Sequence, residues 1–269
     1  MSQSQSTAEE SIEQELTAHI NASELINALT TVTQIANEAK IHFTEADGME
    51  ISAVGEANVG MVEVSVGNEG FEQLNTNGVI IPTNVNELLA QAKSIKSEPV
   101  DAEERTLTLE LTEEHRLRLS SENGSMTVFI GIIDPETIRD EPDIPDSMSF
   151  DSCVEMNSRL YNHIMKTADG FGETLHLLSE PDVVHTKAEG DINSLETTLR
   201  PDHAEIVEMD TSTCNTMVGV GYMNKVRKGL PRNVVMRLEF QNNHPVRVTA
   251  DFSHTDVSYY IAPRVNTDN

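Results

Sequence analysis

Ile132-Ile133-Asp134-Pro135-Glu136-Thr137-Ile138-Arg139-Asp140-Glu141-Pro142-Asp143-Ile144-Pro145 holds three prolines and five carboxylates in fourteen positions. Proline fixes φ and has no N–H to donate, so this density excludes a continuous helix or an interior strand. The expected conformation is an extended strap. An apolar, strand-like run, Met126 to Ile133, precedes it, and a strand-then-helix pattern starts again near Ser149. The strap therefore reads as a connector, residues 134–147, between an N-terminal domain, 14–133, and a C-terminal domain, 148–269. Residues 1–13, rich in Ser, Gln and Glu, are expected to be a disordered tail without the apolar core of a signal peptide.

On either side of the strap the same order of elements is expected. In the first half, the stretch Asn21 to Ala39 opens with capping chemistry and sets Leu25, Ile26, Leu29, Val32 and Ile35 at helical spacing. Short strands follow at 40–44, 50–54, 59–66 and 79–82, with a loop around 70–74. A second helix is expected over 84–93, then hairpin strands at 106–111, 116–120 and 125–133. The second half offers a strand at 152–156, a helix at 158–168, strands at 174–178, 183–188, 195–199 and 204–209, a helix at 222–230, and strands at 234–240, 246–251 and 257–262. Leu109-Glu110-Leu111 before His115-Arg116-Leu117 resembles Leu238-Glu239-Phe240 before His244-Pro245-Val246. The fold class is α+β: two similar domains of antiparallel sheet with two helices each.

The chain has 269 residues, 45 acidic against 18 basic, for a net charge of −27. These charges are interleaved with regular apolar periodicity, which points to a folded protein with an acidic skin rather than a disordered one. Such a skin suits molar salt, where the Debye length falls to about 3 Å and self-repulsion is screened, and so points to a halophile. Two distant cysteines, Cys153 and Cys214, supply neither a disulfide framework nor a zinc site and fit a cytoplasmic protein. No run approaches the roughly 20 apolar residues of a membrane span.

Catalytic and metal chemistry find no carrier. HExxH, paired cysteines, GxSxG and a glycine-rich phosphate loop are all missing from the sequence. His163 is a lone helical histidine, and Asp140, Glu141, Asp143 and Asp146 lack the spacing of a calcium loop. The expectation is no enzyme, no metal and no cofactor, with an acidic enzyme whose site is scattered along the chain as the remaining enzymatic reading. The scarce cations are more informative: Lys93 ends the second helix with Lys96 just beyond it, Lys166 lies on the third, and Lys225 and Lys228, three apart on the fourth, share a face. By themselves they also fit solvated cations at helix C-termini.

Four stretches together resemble the PCNA-type DNA sliding clamps of archaea, the salt-loving lineages in particular: Ile51 to Val62, the strap from Ile133 to Asp146, Ala188-Glu189-Gly190-Asp191, and Tyr259 to Val265. The resemblance runs from about Leu16 to Val265. It implies a homotrimeric closed ring that encircles duplex DNA without sequence preference and recruits DNA polymerase, clamp loader, flap nuclease and ligase through short peptides. Carried onto this chain, the peptide groove would involve Val59, Met61, Pro142, Ile144, Pro145, Pro245, Ile261, Ala262 and Pro263. The DNA-facing cations would be Lys93, Lys166, Lys225 and Lys228. The subunit contact would pair 125–133 with 193–200 through Met126, Val128, Ile130, Leu195, Thr197 and Leu199. Two departures stand out: Gly55 replaces an aspartate common in the family, and the helices are poor in positive charge, the first offering only Lys40 at its end. A non-replicative adaptor on the same fold, binding the same peptides, is the alternative that Gly55 and the N-terminal tail allow.

Overall fold

The computed structural model describes residues 15–98, 105–142, 144 and 148–264. The expected disorder of residues 1–13, and the site residue Pro145, fall outside them. The first half runs β1 (Leu16–Asn21), α1 (Ala22–Thr33), β2 (Glu38–Thr44), β3 (Gly48–Val54), β4 (Gly60–Val66), β5 (Phe71–Thr76), β6 (Val79–Asn84), α2 (Val85–Lys96), β7 (Thr106–Leu111), β8 (Arg116–Ser121) and β9 (Thr127–Gly131). The second runs β10 (Ser152–Asn157), α3 (Ser158–Ala168), β11 (Thr174–Glu180), β12 (Val183–Glu189), β13 (Ser194–Leu199), β14 (Ile206–Thr211), β15 (Cys214–Gly219), α4 (Val220–Gly229), β16 (Val235–Phe240), β17 (Val246–Phe252) and β18 (Thr255–Ile261). Element for element, the two orders are the same.

Local chemistry repeats with the order. Asn21, Asn84 and Asn157 each end a strand and cap the following helix, accepting hydrogen bonds from the amides of Ser23, Glu87 and Arg159 at 2.8, 3.0 and 3.0 Å. Only α4 starts without a side-chain cap, after Gly219. The β1–β5 ladder slips between His19 and Ile20, and the β10–β14 ladder slips between Glu155 and Met156, the same point of the repeat. One bulge in each half thus bends the corresponding strand.

The sheets do not divide as the halves do. One sheet has the order β5-β1-β7-β8-β9 and another β13-β12-β11-β15, but a nine-stranded sheet, β14-β10-β16-β17-β18-β4-β3-β2-β6, runs through both halves. Its seam is the antiparallel pairing of β18 with β4, from Thr255 opposite Val66 to Ile261 opposite Gly60. Above the seam α1 packs on α4. Thr31 Oγ1 donates to the Gly229 carbonyl at 3.1 Å and the Tyr259 hydroxyl donates to the Thr31 carbonyl at 3.1 Å, all buried. The helices bury Leu25, Leu29, Leu88, Ile95, Ile164 and Met223 against the sheets.

Three strands depart from the sequence reading. β5 occupies the expected loop at 70–74, while β1 and β15 fall outside every expected strand. β5 is a half-exposed edge strand with little apolar content, and β1 and β15 each run directly into a helix, so no turn signal separates them. α1 also ends at Thr33, short of the quoted Ala39. Lys40 consequently sits on β2, not at the end of α1.

Candidate functional site

Among its described residues the strap is extended except for a 3-10 turn at Pro135–Thr137, with proline at its first turn. It is pinned at several points. Ile133 donates its amide to the Pro82 carbonyl at 3.0 Å, and Ile138 is buried. The Arg139 guanidinium reaches the Glu56 carbonyl and Asn58 Oδ1, the latter at 2.9 Å. Lys40 holds Asp140 at 2.7 Å. That pairing raises the Lys40 pKa and lowers that of Asp140, in each case chiefly through the shared hydrogen bond.

Between strap and sheet lies a groove of about 490 Å³. Of the expected residues, Val59, Met61, Pro142, Ile144, Pro245 and Ala262 line it. Ile261 does not. Strand alternation turns it inward, where it is fully buried, and turns its neighbour Tyr260 outward to form the groove floor opposite Met61. Pro263 is described but does not line the cavity. Val54, Met148 and Tyr260 belong to the lining although the sequence reading omitted them. For Tyr260 the signal was available in the period of two along β18. The Ala262 amide, bonded to the Val59 carbonyl at 2.8 Å, closes the end of the groove. The rim is acidic, from Asp140 and Glu141.

Beside the floor, polar groups run across the outer face of the sheet. Glu63, Tyr260, Arg247 and Glu239 interact in turn, with Arg247 donating to Glu239 at 2.5 and 2.8 Å and stacking 4.7 Å from the Phe150 ring centroid. Burial, then the nearby Glu63 charge, raise the Tyr260 pKa; burial likewise raises Glu63.

The four expected helix cations separate into two groups. Lys93 and Lys228 are each the ninth residue of their helix, α2 and α4, and both are exposed. Lys166 is exposed in the last turn of α3. Lys225 is half-buried instead, its Nζ 4.8 Å from the Tyr222 ring centroid. Lys40 contributes nothing to a helix face because Asp140 holds it on β2.

The expected contact strands, β9 and β13, are both edges of their sheets. Met126, Val128, Leu195 and Thr197 are half-buried along them, but Ile130 and Leu199, 1% and 2% exposed, are core residues whose side chains point inward. Phe129, 48% exposed and 4.7 Å from the Arg116 guanidinium, takes the outward position on β9 and was not among the expected residues. Gly55 is buried. A Cβ there would lie 3.0 Å from the Ile35 carbonyl, so a larger residue needs the end of α1 to move.

Among the described residues no group of three or more His, Cys, Asp or Glu side chains is placed to hold a metal ion, and no helix is long and apolar enough to cross a membrane.

Residues 143–265 match the family model of the proliferating cell nuclear antigen C-terminal domain. The DNA polymerase sliding clamp of Natronomonas pharaonis is 28% identical over 258 residues, covering 93% of this chain and 99% of the relative. That of Halobacterium salinarum is 28% identical over 255 residues with the same coverage. Among solved structures, Archaeoglobus fulgidus PCNA bound to the C-terminal region of FEN-1 superposes with a TM-score of 0.83 at 23% identity, covering 94% of this chain and all of that one. Thermococcus kodakaraensis PCNA superposes with a TM-score of 0.81 at 18% identity, over 93% and 100%. The chain has the PCNA fold: residues 143–265 match the PCNA C-terminal domain model, and over nearly its whole length the chain is similar to the sliding clamps of archaea, halophiles included.

Proposed function

We propose that the protein is a DNA polymerase sliding clamp, a non-catalytic ring of three copies that encircles duplex DNA in the cytoplasm and recruits replication and repair proteins by short peptides. The observation that carries this reading is the incomplete internal repeat. Inside the chain the halves join by β4 and β18. Their counterparts in the repeat are β13 and β9, both unpaired edges. Pairing those edges between copies repeats the internal seam and leaves no open edge there. The in-chain registers also support a particular pairing of residues. Val62 lies opposite Tyr259, and tracing the ladders equates these with Leu195 and Val128. Val128 of one copy therefore faces Leu195 of the next, with Met126 facing Thr197. The contact is heterologous, so a ring closes without a second kind of interface.

The helices would line the channel, with Lys93 and Lys166 facing DNA. So few cations are adequate for a ring. Affinity drawn from phosphate neutralisation falls with a slope of about −0.9 in log K per log salt for each contact, which at molar salt leaves little. Topology retains a closed ring instead, and weak contacts let it slide. The groove beneath the strap would take the partner's apolar anchors, its aliphatic lining fitting aromatic side chains brought by the peptide.

The test is retention. After loading, the protein should remain on closed circular DNA in molar KCl and leave the same DNA once it is cut. Equal loss from both forms, or a species of monomer mass in that buffer, overturns the reading. A ring that holds DNA but fails to support processive synthesis would favour the adaptor.

A further inference from the structure

The strap meets both halves at a second cavity, of about 810 Å³. Its walls are the turn from Thr33 to Glu38 after α1, Thr137 to Arg139 of the strap, and Tyr222, Lys225 and Lys228 of α4. The crease is continuous with the groove. Val54 lines both, and the turn from Gly55 to Asn58 is shared between them: Gly55, Glu56 and Ala57 face the crease, Asn58 the groove.

The two cavities differ in charge. Asp140 and Glu141 rim the groove, whereas the crease gathers Arg139, Lys225 and Lys228, three of only 18 basic residues in the chain. Its carboxylates are Glu38 and Glu56. Arg139 spends its hydrogen bonds on neutral acceptors, the Glu56 carbonyl and Asn58 Oδ1, which leaves its charge uncompensated. Lys225 is half-buried against the Tyr222 ring, and neither it nor Lys228 forms an ion pair or hydrogen bond among the described residues. The aromatic face stabilises the Lys225 cation but accepts none of its three N–H donors in the ordinary sense. In a protein with 45 acidic residues, a half-buried lysine that no described carboxylate pairs is able to receive one from a ligand. Because the site is partly enclosed, salt screens it less than an exposed pair.

We propose that the crease binds an acidic flank of the same partner peptide whose apolar anchors occupy the groove, a chain that leaves the groove over Val54 and the 55–58 turn. This rests on the groove being the docking site. Charge then sets peptide direction: acidic residues belong on the crease side and basic ones beside Glu141, since Asp140 is already paired with Lys40.

The experiment uses the full-length ring and a fluorescent peptide of the FEN-1 C-terminal region, made with a short glutamate run at one end, at the other, or with glutamine in place of glutamate. In molar KCl one glutamate-flanked peptide should bind about 3-fold tighter than its glutamine control, the size expected of a partly exposed ion pair. Lys225→Gln should abolish that preference without altering binding of the glutamine control, Lys225→Arg should retain it, and Lys225→Glu should reverse it. Ile144→Asp should weaken all the peptides alike. If the native ring binds no peptide, the groove reading fails and the proposal with it. If peptides bind and Ile144→Asp removes them, but flank charge is indifferent to Lys225, the crease proposal alone is overturned. Loss of DNA retention in Lys225→Gln with flank preference unchanged would assign the crease to DNA phosphate and overturn it equally.

Discussion

The seam inside the chain and the open edges at its two ends are built from corresponding strands, yet they are not equally strong. At the seam, β18 and β4 pair over seven residues, and Val62, Val64, Tyr259 and Ile261 beneath the pairing are 0–2% exposed. Buried hydrogen bonds from Thr31 and Tyr259 lock the helices above it. At the edges, β9 spans five residues, and Leu195 and Thr197 stand where the seam has Val62 and Val64. The same topology therefore gives one paired junction within the chain and two edges with less apolar area to bury. In the proposed ring that inequality would let the junctions between subunits part around DNA while each subunit stays whole.

The seam should break first, and most expensively, at Gly229. A Cβ there would lie 1.9 Å from the Tyr259 hydroxyl and 3.1 Å from its ring carbon Cζ. Tyr259 is fully buried and cannot swing away. Gly229→Ala is expected to destabilise the folded chain by about 3 kcal/mol, the upper part of the range for overpacked cores. Chemical denaturation in molar KCl measures it, and an effect under a few tenths of a kcal/mol would mean that α1 and α4 are not held together as described.

Val128→Asp probes the other junction. Val128 is half-buried on an edge strand and packs on the rim of the core, so the subunit should lose less stability than with Gly229→Ala, while a carboxylate opposite the partner's Leu195 should weaken association at least tenfold, about 1.4 kcal/mol. Sedimentation in molar salt reads the result. Loss of subunit stability equal to that of Gly229→Ala would remove the distinction between seam and edge.

How far the sequence reveals this design depends on where each signal resides. The repeat, the four helices and the strap were legible because apolar period, asparagine caps and prolines are local features. Most of the groove was legible through the family resemblance. The exceptions follow from geometry that a residue list omits: Ile261, Ile130 and Leu199 were placed on surfaces that strand alternation denies them, and Phe129 and Tyr260 hold the outward positions instead. The pairing of β4 with β18 was not legible in the local pattern, since the two strands lie far apart in the chain. Nor was Lys225 in the crease, where the deciding contact is with a ring one turn away and the cavity's other walls come from distant segments.

The smallest expected effect sharpens the seam through pH. Glu63 stands on β4 beside Tyr260 of β18, and burial raises its pKa, with Glu141 and Glu50 adding to the rise and Tyr260 and Arg247 opposing it. A carboxyl with a raised folded-state pKa binds its proton more tightly folded than unfolded. Between the ordinary glutamate value and the raised one, the folded state holds more protons, so stability falls as pH rises through that window and is regained as pH falls. Glu63 is partly exposed, so the slope should be shallow. Glu63→Gln should remove this slope while leaving those from other carboxylates, and should raise neutral-pH stability slightly. Denaturation midpoints of the two proteins, followed from pH 4 to 7 at fixed KCl on the glutamate scale, should therefore diverge toward neutrality. Parallel curves would mean that Glu63 titrates as it does in the unfolded chain, and that the outer face of the seam is as well solvated as the free edges.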